Sequence, residues 1–234
     1  MTADTAVLLV CAGSASRMGG INKILHPLGN TTVLLHGLRT FCQCESVAEL
    51  VVVCREQDLP EFMRILEHEQ LPVPVSAVAG GSTRQQSVAN GFAAVRGDCA
   101  YIASHDGARP LVLNADIERV IADARSCGAA TLGVPVKDTV KVVREGQICE
   151  TPDRSLLWLT QTPQVFRRSL YEKALKQAAQ SGRDYTDDCQ LVESLGIKVA
   201  MTRGDYSNIK LTTPEDFAVA EALLAARQKE REKA

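Results

Sequence analysis

Short apolar segments alternate with helical patterns along most of the chain, and this order constrains the fold more than any other sequence feature. Five apolar, β-branched runs have the length of strands buried on both faces: Thr5–Val10, Leu50–Cys54, Val75–Ala79, Tyr101–Ser104 and Ala129–Val134. Between them, apolar residues at helical spacing predict helices at Val33–Cys42, Pro60–Glu69, Arg84–Val95 and Asn114–Ser126. Pro60 suits the first turn of its helix, and Asn114 or Asp116 is expected to cap the last of these helices. This alternation predicts an α/β fold with a doubly wound, mostly parallel sheet.

The alternation breaks after Pro135, where the pattern predicts a β-hairpin that projects from the sheet. Val140–Val143 and Ile148–Glu150 flank a charged turn that contains Gly146. Because an isolated hairpin is marginally stable in water, we expect this arm, at about residues 137–156, to pack on another surface such as a second subunit. Helix and strand patterns resume at Arg168–Gln180, Asp188–Ser194 and Lys198–Arg203, with a final helix from Pro214. We therefore predict a single domain over residues 1–234 with one excursion.

Composition narrows the class of protein. The chain has 234 residues, of which 45% are hydrophobic and 23% charged, so it can bury a substantial core. Its net charge of −2 argues against a general nucleic-acid binder. The apolar run Ala6–Val10 is too short to span a membrane and has no basic leader, so we expect no membrane partner. The eight cysteines lack metal-ligand spacing and are expected to be reduced, small apolar side chains in a cytoplasmic protein.

The loop Cys11–Lys23 follows the first predicted strand, and it is expected to hold the phosphates of a nucleotide. In an open parallel sheet, ligands bind beyond the carboxyl ends of the strands, where this loop begins. Small residues let backbone N–H groups approach phosphate oxygens, while Arg17 and Lys23 supply positive charge. The residues with small side chains are Ala12, Gly13, Ser14 and Ala15. The sequence has neither a GxGxxG fingerprint nor a Walker A lysine here, and read alone the segment could be a tight turn.

Two further segments end predicted strands. Gly80–Val88 opens a helix, and its glycine pair could expose backbone groups to a base edge, although an ordinary capped turn has the same composition. His105–Pro110 ends the fourth strand, where the oxygens of Asp106 would suit Mg²⁺ near a triphosphate. Arg109 could hold an acceptor phosphate, or it could form a structural pair with Asp106. His105 is expected to be a structural neighbour of Asp106.

The remaining polar segments are unremarkable when each is taken singly. They are Lys137–Thr139, Thr151–Arg154, Thr160–Gln164, Thr186–Asp188 and Asn208–Thr212. Polar residues near turns are usually only solvated, and Trp158 is expected to lie in the core.

Taken together and in order, these motifs resemble a known family. The loop LVCAGxxxRMxxxxK is similar to the signature loop LxAAGxGxRMxxxxPK of sugar-nucleotide-type nucleotidyltransferases, with Ala15 in place of a glycine and Asn22 in place of a proline. The later motifs GGxxRxxSV, HDxARP, DTxK, TxDRxxLWxxQTPQ, TDD and NIKxTxPEDxxxAE resemble those of the 2-C-methyl-D-erythritol 4-phosphate cytidylyltransferase family, IspD, of the non-mevalonate isoprenoid pathway. The resemblance runs from the first strand to the last helix.

The resemblance implies a Rossmann-like nucleotidyltransferase fold, transfer of CMP from CTP to a small polyol phosphate, and a divalent cation such as Mg²⁺ at Asp106. It implies catalytic roles for Arg17, Lys23 and Lys210. Around the nucleotide it implies Ala12, Gly13, Ser14, Ala15, Gly81, Ser82, Arg84, Ser87 and Asp106, with Arg84 supporting its loop. Around the acceptor it implies Arg109, Thr139, Arg154, Thr162 and Thr186. It also implies a homodimer in which the arm brings Thr139 and Arg154 to the partner's site.

Two alternatives remain open at this point. A cytidylyltransferase for another polyol phosphate, such as ribitol 5-phosphate, would share the nucleotide loop and differ around the acceptor. A non-catalytic nucleotide-binding regulatory domain would bind CTP without turnover. The segment Thr151–Gln164 favours methylerythritol phosphate over the first alternative, and the combined cationic residues favour an enzyme over the second.

Overall fold

A computed structural model describes residues 3–13 and 22–232 of the chain. Its strands are β1 (Thr5–Val10), β2 (Pro27–Leu28), β3 (Thr31–Thr32), β4 (Val47–Cys54), β5 (Val75–Ala79), β6 (Tyr101–Asp106), β7 (Ala129–Pro135), β8 (Val142–Arg144), β9 (Gln147–Glu150), β10 (Trp158–Arg167) and β11 (Ala200–Arg203). Its helices are α1 (Val33–Cys42), α2 (Leu59–His68), α3 (Arg84–Ala94), α4 (Asn114–Cys127), α5 (Arg168–Ser181), α6 (Asp188–Glu193) and α7 (Pro214–Arg231).

Seven strands form one sheet in the order β11-β7-β10-β6-β1-β4-β5. Its neighbouring strands pair in parallel except at β10, which runs antiparallel to both β6 and β7. The prediction of a mostly parallel sheet is therefore confirmed. Because the parallel strands share one direction, their carboxyl ends meet along one edge, where ligands bind in folds of this kind.

Helices cover both faces of the sheet because each strand sends alternate side chains to opposite faces. In β1, Val7 and Leu9 join the core on one face, and Leu8 joins the core on the other. The first core includes residues of α1, α2, α4 and α7, and the second includes residues of α3, α5 and α6. Each fully buried large apolar side chain contributes about 2 kcal/mol, so the two cores hold the strand ends in fixed positions.

The largest departure from the predicted order of elements is β10, which lies in a stretch that the sequence patterns left unassigned. Its middle contains Pro163, in a cis peptide bond with Thr162, and its pairing with β7 is irregular between Thr160 and Gln164. A proline is unusual in a central strand, so the local pattern does not indicate one. Main-chain pairing with β6 and β7 on both sides nevertheless makes this segment a strand.

The predicted helix starts are confirmed at one position and wrong at another. Pro60 lies in the first turn of α2, as predicted. Neither Asn114 nor Asp116 caps α4, because the N-cap residue is Leu113 and no side chain caps the helix. Asn114 instead donates a hydrogen bond to the carbonyl oxygen of Thr40 at 2.6 Å, and Asp116 forms an ion pair within α4. Asn114 therefore contacts α1, and Asp116 pairs with a residue one turn further along its own helix.

The predicted hairpin is confirmed as an arm apart from the main sheet. β8 and β9 form their own antiparallel pair. Glu145 and Gly146 connect them with φ values of 50° and 78°, and a type I′ turn needs positive φ at both positions. Val143 and Ile148 on the arm are 54% and 63% exposed. The arm therefore presents apolar surface that the described part of this chain leaves uncovered.

Three side chains differ in burial from what the sequence predicted. Trp158, expected in the core, is 36% exposed at the start of β10, close in sequence to Leu156, which is 78% exposed. Six of the eight cysteines are buried, as predicted, whereas Cys127 and Cys149 are exposed.

Within residues 3–13 and 22–232, no helix has the length and apolar character needed to cross a membrane.

Candidate active site

A cavity of about 430 Å³ opens at the sheet edge where β1, β5 and β6 end. The predicted nucleotide-binding residues that line it are Ala12, Gly13, Gly81, Ser82, Arg84, Ser87 and Asp106. The predicted catalytic lysines, Lys23 and Lys210, line it as well. Segments from both ends of the chain thus meet because their strands end at the same edge.

The glycine pair after β5 lets two loops approach each other closely. A Cβ atom at Gly80 would lie 2.7 Å from the Cβ of Ala12 and 2.7 Å from the Oγ of Ser87, so a larger residue would force the loops apart. The hydroxyl of Ser87 accepts a hydrogen bond from the N–H of Gly81 at 3.1 Å and donates one to the carbonyl oxygen of Thr83 at 2.9 Å. The backbone of this loop is therefore held beside the cavity.

Gln86 ties the same loop to the first turn of α3, a role that the sequence motifs do not predict. Its Oε1 accepts hydrogen bonds from the backbone N–H of Ser82 at 3.0 Å and from its hydroxyl at 2.9 Å. Thr83 caps α3 by accepting from the N–H of Gln86 at 3.1 Å. A glutamine on an exposed helix turn gives no signal of this role in the sequence.

Three cationic side chains surround Asp106 at the end of β6. The Nζ of Lys210 lies 2.8 Å from its Oδ2, the Nε of Arg109 lies 3.8 Å from the same oxygen, and a guanidinium nitrogen of Arg84 lies 3.9 Å from Oδ1. Burial alone would raise the pKa of the Asp106 carboxyl, but Lys210, Arg84 and Arg109 together hold that pKa below its usual value. The carboxylate therefore remains ionised and balances part of the surrounding positive charge.

Arg84 does more than support its own loop. A second contact, at 2.8 Å, joins its guanidinium to the Oδ2 of Asp188 at the start of α6. Asp188 is buried, and its Oδ1 accepts a hydrogen bond from the hydroxyl of Tyr171 at 2.8 Å. Asp188 therefore fixes one side of Arg84 while the other side faces Asp106.

A second cavity, of about 180 Å³, adjoins the first. The predicted acceptor-binding residues that line it are Arg109, Thr162 and Thr186. Three residues line both cavities: Arg84, Asp106 and Lys210. The positively charged junction thus lies where a group in one cavity could reach a group in the other.

Part of the Arg109 guanidinium is hydrogen-bonded within the protein. One of its terminal guanidinium nitrogens donates a hydrogen bond to the carbonyl oxygen of Asn208 at 2.7 Å. Its Nε is buried and has no hydrogen-bond partner among the described residues. At 3.8 Å the contact of Nε with Asp106 is longer than a hydrogen bond, so the two side chains form an ion pair without a hydrogen bond between these atoms.

The end of the first loop is anchored to other segments. Lys23 donates a hydrogen bond from Nζ to the carbonyl oxygen of Leu211 at 3.0 Å. Asn22, which stands in place of the proline of the similar signature loop, accepts from the N–H of Ile24 at 3.1 Å and donates to Asp58 at 2.9 Å. These two hydrogen bonds position a residue that lacks the fixed φ of proline. Ser14, Ala15 and Arg17 lie outside the described residues, so their predicted roles stay predictions.

Thr139 and Arg154 lie away from both cavities. Thr139 is exposed just before β8, and Arg154 is exposed after β9, where it donates a hydrogen bond to the carbonyl oxygen of Lys137 at 2.6 Å. Neither side chain lines the cavities described above. The smaller cavity of one chain is therefore lined by Arg109, Thr162 and Thr186 without these two residues.

Gln164 lines the smaller cavity and is bonded to the backbone of Asp188, and the sequence motifs predict no role for either residue. The Nε2 of Gln164 donates to the Oδ2 of Asp187 at 3.0 Å, and its Oε1 accepts from the N–H groups of Asp188 and Cys189 at 2.9 and 3.2 Å. These bonds join β10 to the first turn of α6. Both residues belong to motifs that resemble those of the family, QTPQ and TDD. This resemblance was the one sequence feature that could have pointed to them.

His105 is a structural neighbour of Asp106, as predicted. It is fully buried, and its ring packs edge-on against Phe41 with a centroid distance of 4.8 Å. Burial lowers the pKa of the imidazole to about 4, so the ring is neutral near pH 7. The ring lines neither cavity.

The described residues contain no group of three or more His, Cys, Asp or Glu side chains that could hold a metal ion alone. Asp106 is the carboxylate at the junction of the cavities. A metal at this position would need further oxygen ligands from a substrate.

Comparison with known proteins decides the family. The family model described as 2-C-methyl-D-erythritol 4-phosphate cytidylyltransferase, IspD, matches residues 5–226. A protein of that name from Syntrophotalea carbinolica is 47% identical over 223 residues, which cover 93% of this chain and 95% of the relative. Another from Caldanaerobacter subterraneus subsp. tengcongensis is 42% identical over 224 residues, with coverage of 94% and 99%. The chain belongs to the IspD family.

Solved IspD structures share the fold. The crystal structure of 4-diphosphocytidyl-2C-methyl-D-erythritol synthase from Anaerococcus prevotii matches with a TM-score of 0.85 at 30% identity, covering 94% of this chain and 98% of that one. The 2-C-methyl-D-erythritol 4-phosphate cytidylyltransferase from Thermus thermophilus matches with a TM-score of 0.76 at 30% identity, with coverage of 93% and 98%. The resemblance drawn from motif order and the Rossmann-like fold that it implied are confirmed.

Asp188→Asn tests the buried ion pair behind the junction of the IspD site. We expect it to lower the free energy of unfolding by about 2 kcal/mol or more, because it removes the nearer charge partner of the partly buried Arg84 and leaves only Asp106 at 3.9 Å. Urea denaturation followed by circular dichroism measures this. Glu172→Gln is the matched control, since it breaks a pair with Lys176 on an exposed helix surface and should leave the curve unchanged within error. Equal curves for wild type and Asp188→Asn would contradict this account.

Proposed function

We propose that this enzyme transfers CMP from CTP to 2-C-methyl-D-erythritol 4-phosphate and releases pyrophosphate, a step of non-mevalonate isoprenoid precursor synthesis. Membership of the IspD family supports this activity. The observation that carries the mechanism is the pair of cavities that meet at Arg84, Asp106 and Lys210. A transfer between two phosphate-bearing substrates needs such a shared, positively charged junction.

In this proposal the larger cavity holds CTP. The loop after β5 would lie beside the base, and Ser87 and Gln86 hold that loop in place by accepting hydrogen bonds from its backbone. Lys23 lies at the same cavity and, with Arg17 from the preceding loop, would bind the triphosphate. Positive charge at this position stabilises the negative charge that increases on the phosphate oxygens during transfer.

The smaller cavity would hold the acceptor's phosphate. The guanidinium of Arg109 would supply positive charge there, and Lys210 offers an ammonium group at the junction. A phosphate oxygen of the acceptor would attack the α-phosphorus of CTP, and the bond from that phosphorus to the leaving pyrophosphate would break. No covalent intermediate with the enzyme is required, because positioning and charge neutralisation supply the catalysis.

A divalent cation such as Mg²⁺ belongs to the proposal. One carboxylate together with substrate phosphate oxygens is a ligand set that Mg²⁺ commonly accepts, and Asp106 offers that carboxylate beside the larger cavity. When bound, such an ion would neutralise triphosphate charge. Asp106 already contacts Lys210 at 2.8 Å, so Lys210 would have to yield part of this contact to the ion.

The proposal also includes a cytoplasmic homodimer of single-domain subunits, joined through the arm. Val143 and Ile148 on the arm and Leu156 beside it are exposed apolar side chains that a second subunit could cover. Arg154 and Thr139 lie outside the cavities of their own chain, and an exchange of arms would bring them to the partner's acceptor cavity. This assignment accounts for their presence in the family motifs.

An acceptor comparison tests the reaction. Pyrophosphate release is measured with CTP and either 2-C-methyl-D-erythritol 4-phosphate or ribitol 5-phosphate, with each acceptor omitted as a control. We expect turnover with the first acceptor, since membership of the IspD family supports that substrate. Turnover with ribitol 5-phosphate alone would show that the proposed acceptor is wrong. CTP binding without turnover would indicate a regulatory domain.

Lys23→Ala and Lys210→Ala test the charges at the site. Each should lower turnover at least tenfold, equivalent to about 1.4 kcal/mol of activation free energy, because each removes a cation from the phosphates. Lys198→Ala is the control, since this exposed lysine precedes β11 and therefore lies toward the opposite edge of the sheet. Steady-state rates at saturating CTP and acceptor measure the effect. Wild-type rates in both site variants would remove these lysines from the mechanism.

Mixing variants tests the exchanged arm. Arg154→Ala and Lys23→Ala are each expected to be nearly inactive. A mixed dimer, however, would contain one complete site, in which one subunit supplies Lys23 and the arm of the other subunit supplies Arg154. Co-refolding equal amounts should restore about one quarter of wild-type activity, because half of the dimers are mixed and half of their sites are complete. Mixing Arg154→Ala with Thr139→Ala should restore nothing, since both arms are altered. A fully active monomer in sedimentation would refute the shared site.

A further inference from the structure

His105 lies directly behind the site but outside both cavities, and it connects two of their lining residues. Its Nδ1 lies 3.0 Å from the hydroxyl oxygen of Thr162, and its Nε2 lies 3.1 Å from the carbonyl oxygen of Arg109. The same Thr162 oxygen accepts a hydrogen bond from the backbone N–H of Asp106 at 3.1 Å. One imidazole and one hydroxyl therefore join the two ends of the turn from Asp106 to Arg109.

The chemistry of these groups determines the direction of each hydrogen bond. A carbonyl oxygen only accepts, so the Nε2 of His105 must carry the proton that it shares with Arg109. In a neutral imidazole the other nitrogen then has no proton, so Nδ1 accepts, and the proton between it and Thr162 comes from the threonine hydroxyl. The ring is fully buried and packs edge-on against Phe41, so its two nitrogens have the Thr162 hydroxyl and the Arg109 carbonyl as their hydrogen-bond partners among the described residues.

We propose that His105 and Thr162 are positioning residues that hold Asp106 and Arg109 through this single directed chain of hydrogen bonds, in which the Thr162 hydroxyl proton is committed to His105. The chain runs from the Asp106 N–H to the Thr162 oxygen, from the Thr162 hydroxyl to the His105 Nδ1, and from the His105 Nε2–H to the Arg109 carbonyl oxygen. Every donor in it has an acceptor.

The proposal changes the part that Thr162 plays in the acceptor cavity, and in this respect it rests on the proposed function. Thr162 lines the smaller cavity, but its hydroxyl has no free proton to donate to a phosphate oxygen. The phosphate would therefore be bound by donors such as Arg109 and Lys210. Thr162 would act on the reaction through the placement of the Asp106 carboxylate and of the turn that carries Arg109.

Neighbouring contacts restrict the geometry of the chain further. The carbonyl oxygen of Thr162 accepts a hydrogen bond from the side-chain amide of Asn208 at 2.9 Å. The carbonyl oxygen of Asn208 in turn accepts from the guanidinium of Arg109 at 2.7 Å. The backbone of Thr162 is thus fixed from a third segment, which leaves its hydroxyl facing His105 and Asp106.

The protonation of the ring can be read directly from the wild-type chain. Nitrogen-15 labelling of histidine gives four imidazoles, and loss of one set of signals in His105→Asn assigns His105. We expect the His105 spectrum at pH 7 to show a proton on Nε2 and none on Nδ1. A proton on Nδ1, or on both nitrogens, would overturn the proposal. This measurement needs no substrate, so its result stands even if the proposed reaction is wrong.

Kinetics separate positioning from direct contact with the acceptor. Thr162→Val, which keeps the shape but loses the hydroxyl, should lower kcat about tenfold or more with little change in the KM of the acceptor. Thr162→Ser keeps the hydroxyl and should restore most of that loss. His105→Phe keeps an aromatic ring against Phe41 but cannot accept the Thr162 proton, and it should lower kcat to a similar extent.

The double variant completes the test. If both residues act through one chain, Thr162→Val combined with His105→Phe should be no slower than the slower single variant. Effects that multiply, or a rise in acceptor KM in Thr162→Val alone, would show that Thr162 contacts the substrate independently of His105. Circular dichroism melting curves check the fold, and if His105→Phe does not fold, the valine and serine variants and the nitrogen-15 spectrum still decide.

Discussion

The charge of Asp106 at the end of β6 is the interaction on which the organisation of the site depends. Lys210, Arg84 and Arg109 come from three different segments, and all lie within 4 Å of its carboxylate. Without an anion among them, these partly buried cations would repel one another, and this repulsion would destabilise the folded chain. The carboxylate therefore holds together the positive charge that the phosphates of two substrates would use.

The position of Asp106 depends in turn on the antiparallel strand β10. This strand lies between β6 and β7 and places Thr162 and Gln164 in the lining of the smaller cavity. Thr162 accepts the backbone N–H of Asp106, while Gln164 holds the start of α6 and with it Asp188, the partner of Arg84. One strand thus supports Asp106 and Arg84 at the junction through an uncharged hydroxyl and an uncharged side-chain amide.

Much of the site could be predicted because of a general property of parallel sheets. Loops that follow parallel strands meet at one edge, so the segments after β1, β5 and β6 had to converge wherever the sheet formed. The described nucleotide residues, from Ala12 to Asp106, accordingly line one cavity. Residues that act through partners far along the chain could not be predicted in this way, as the links from Asp188 to Arg84 and from His105 to Thr162 show.

The sequence by itself determined the class of fold, the positions of the ligand loops and the family, because hydrophobic periodicity and ordered motifs are local properties of the chain. The tertiary structure decided the placement of β10, the exposure of Trp158 and the division of the predicted residues between two cavities. It also decided that Thr139 and Arg154 lie apart from the cavities of their own chain. These features depend on strand pairing and on contacts between distant segments, and such contacts leave no periodic signal in the sequence.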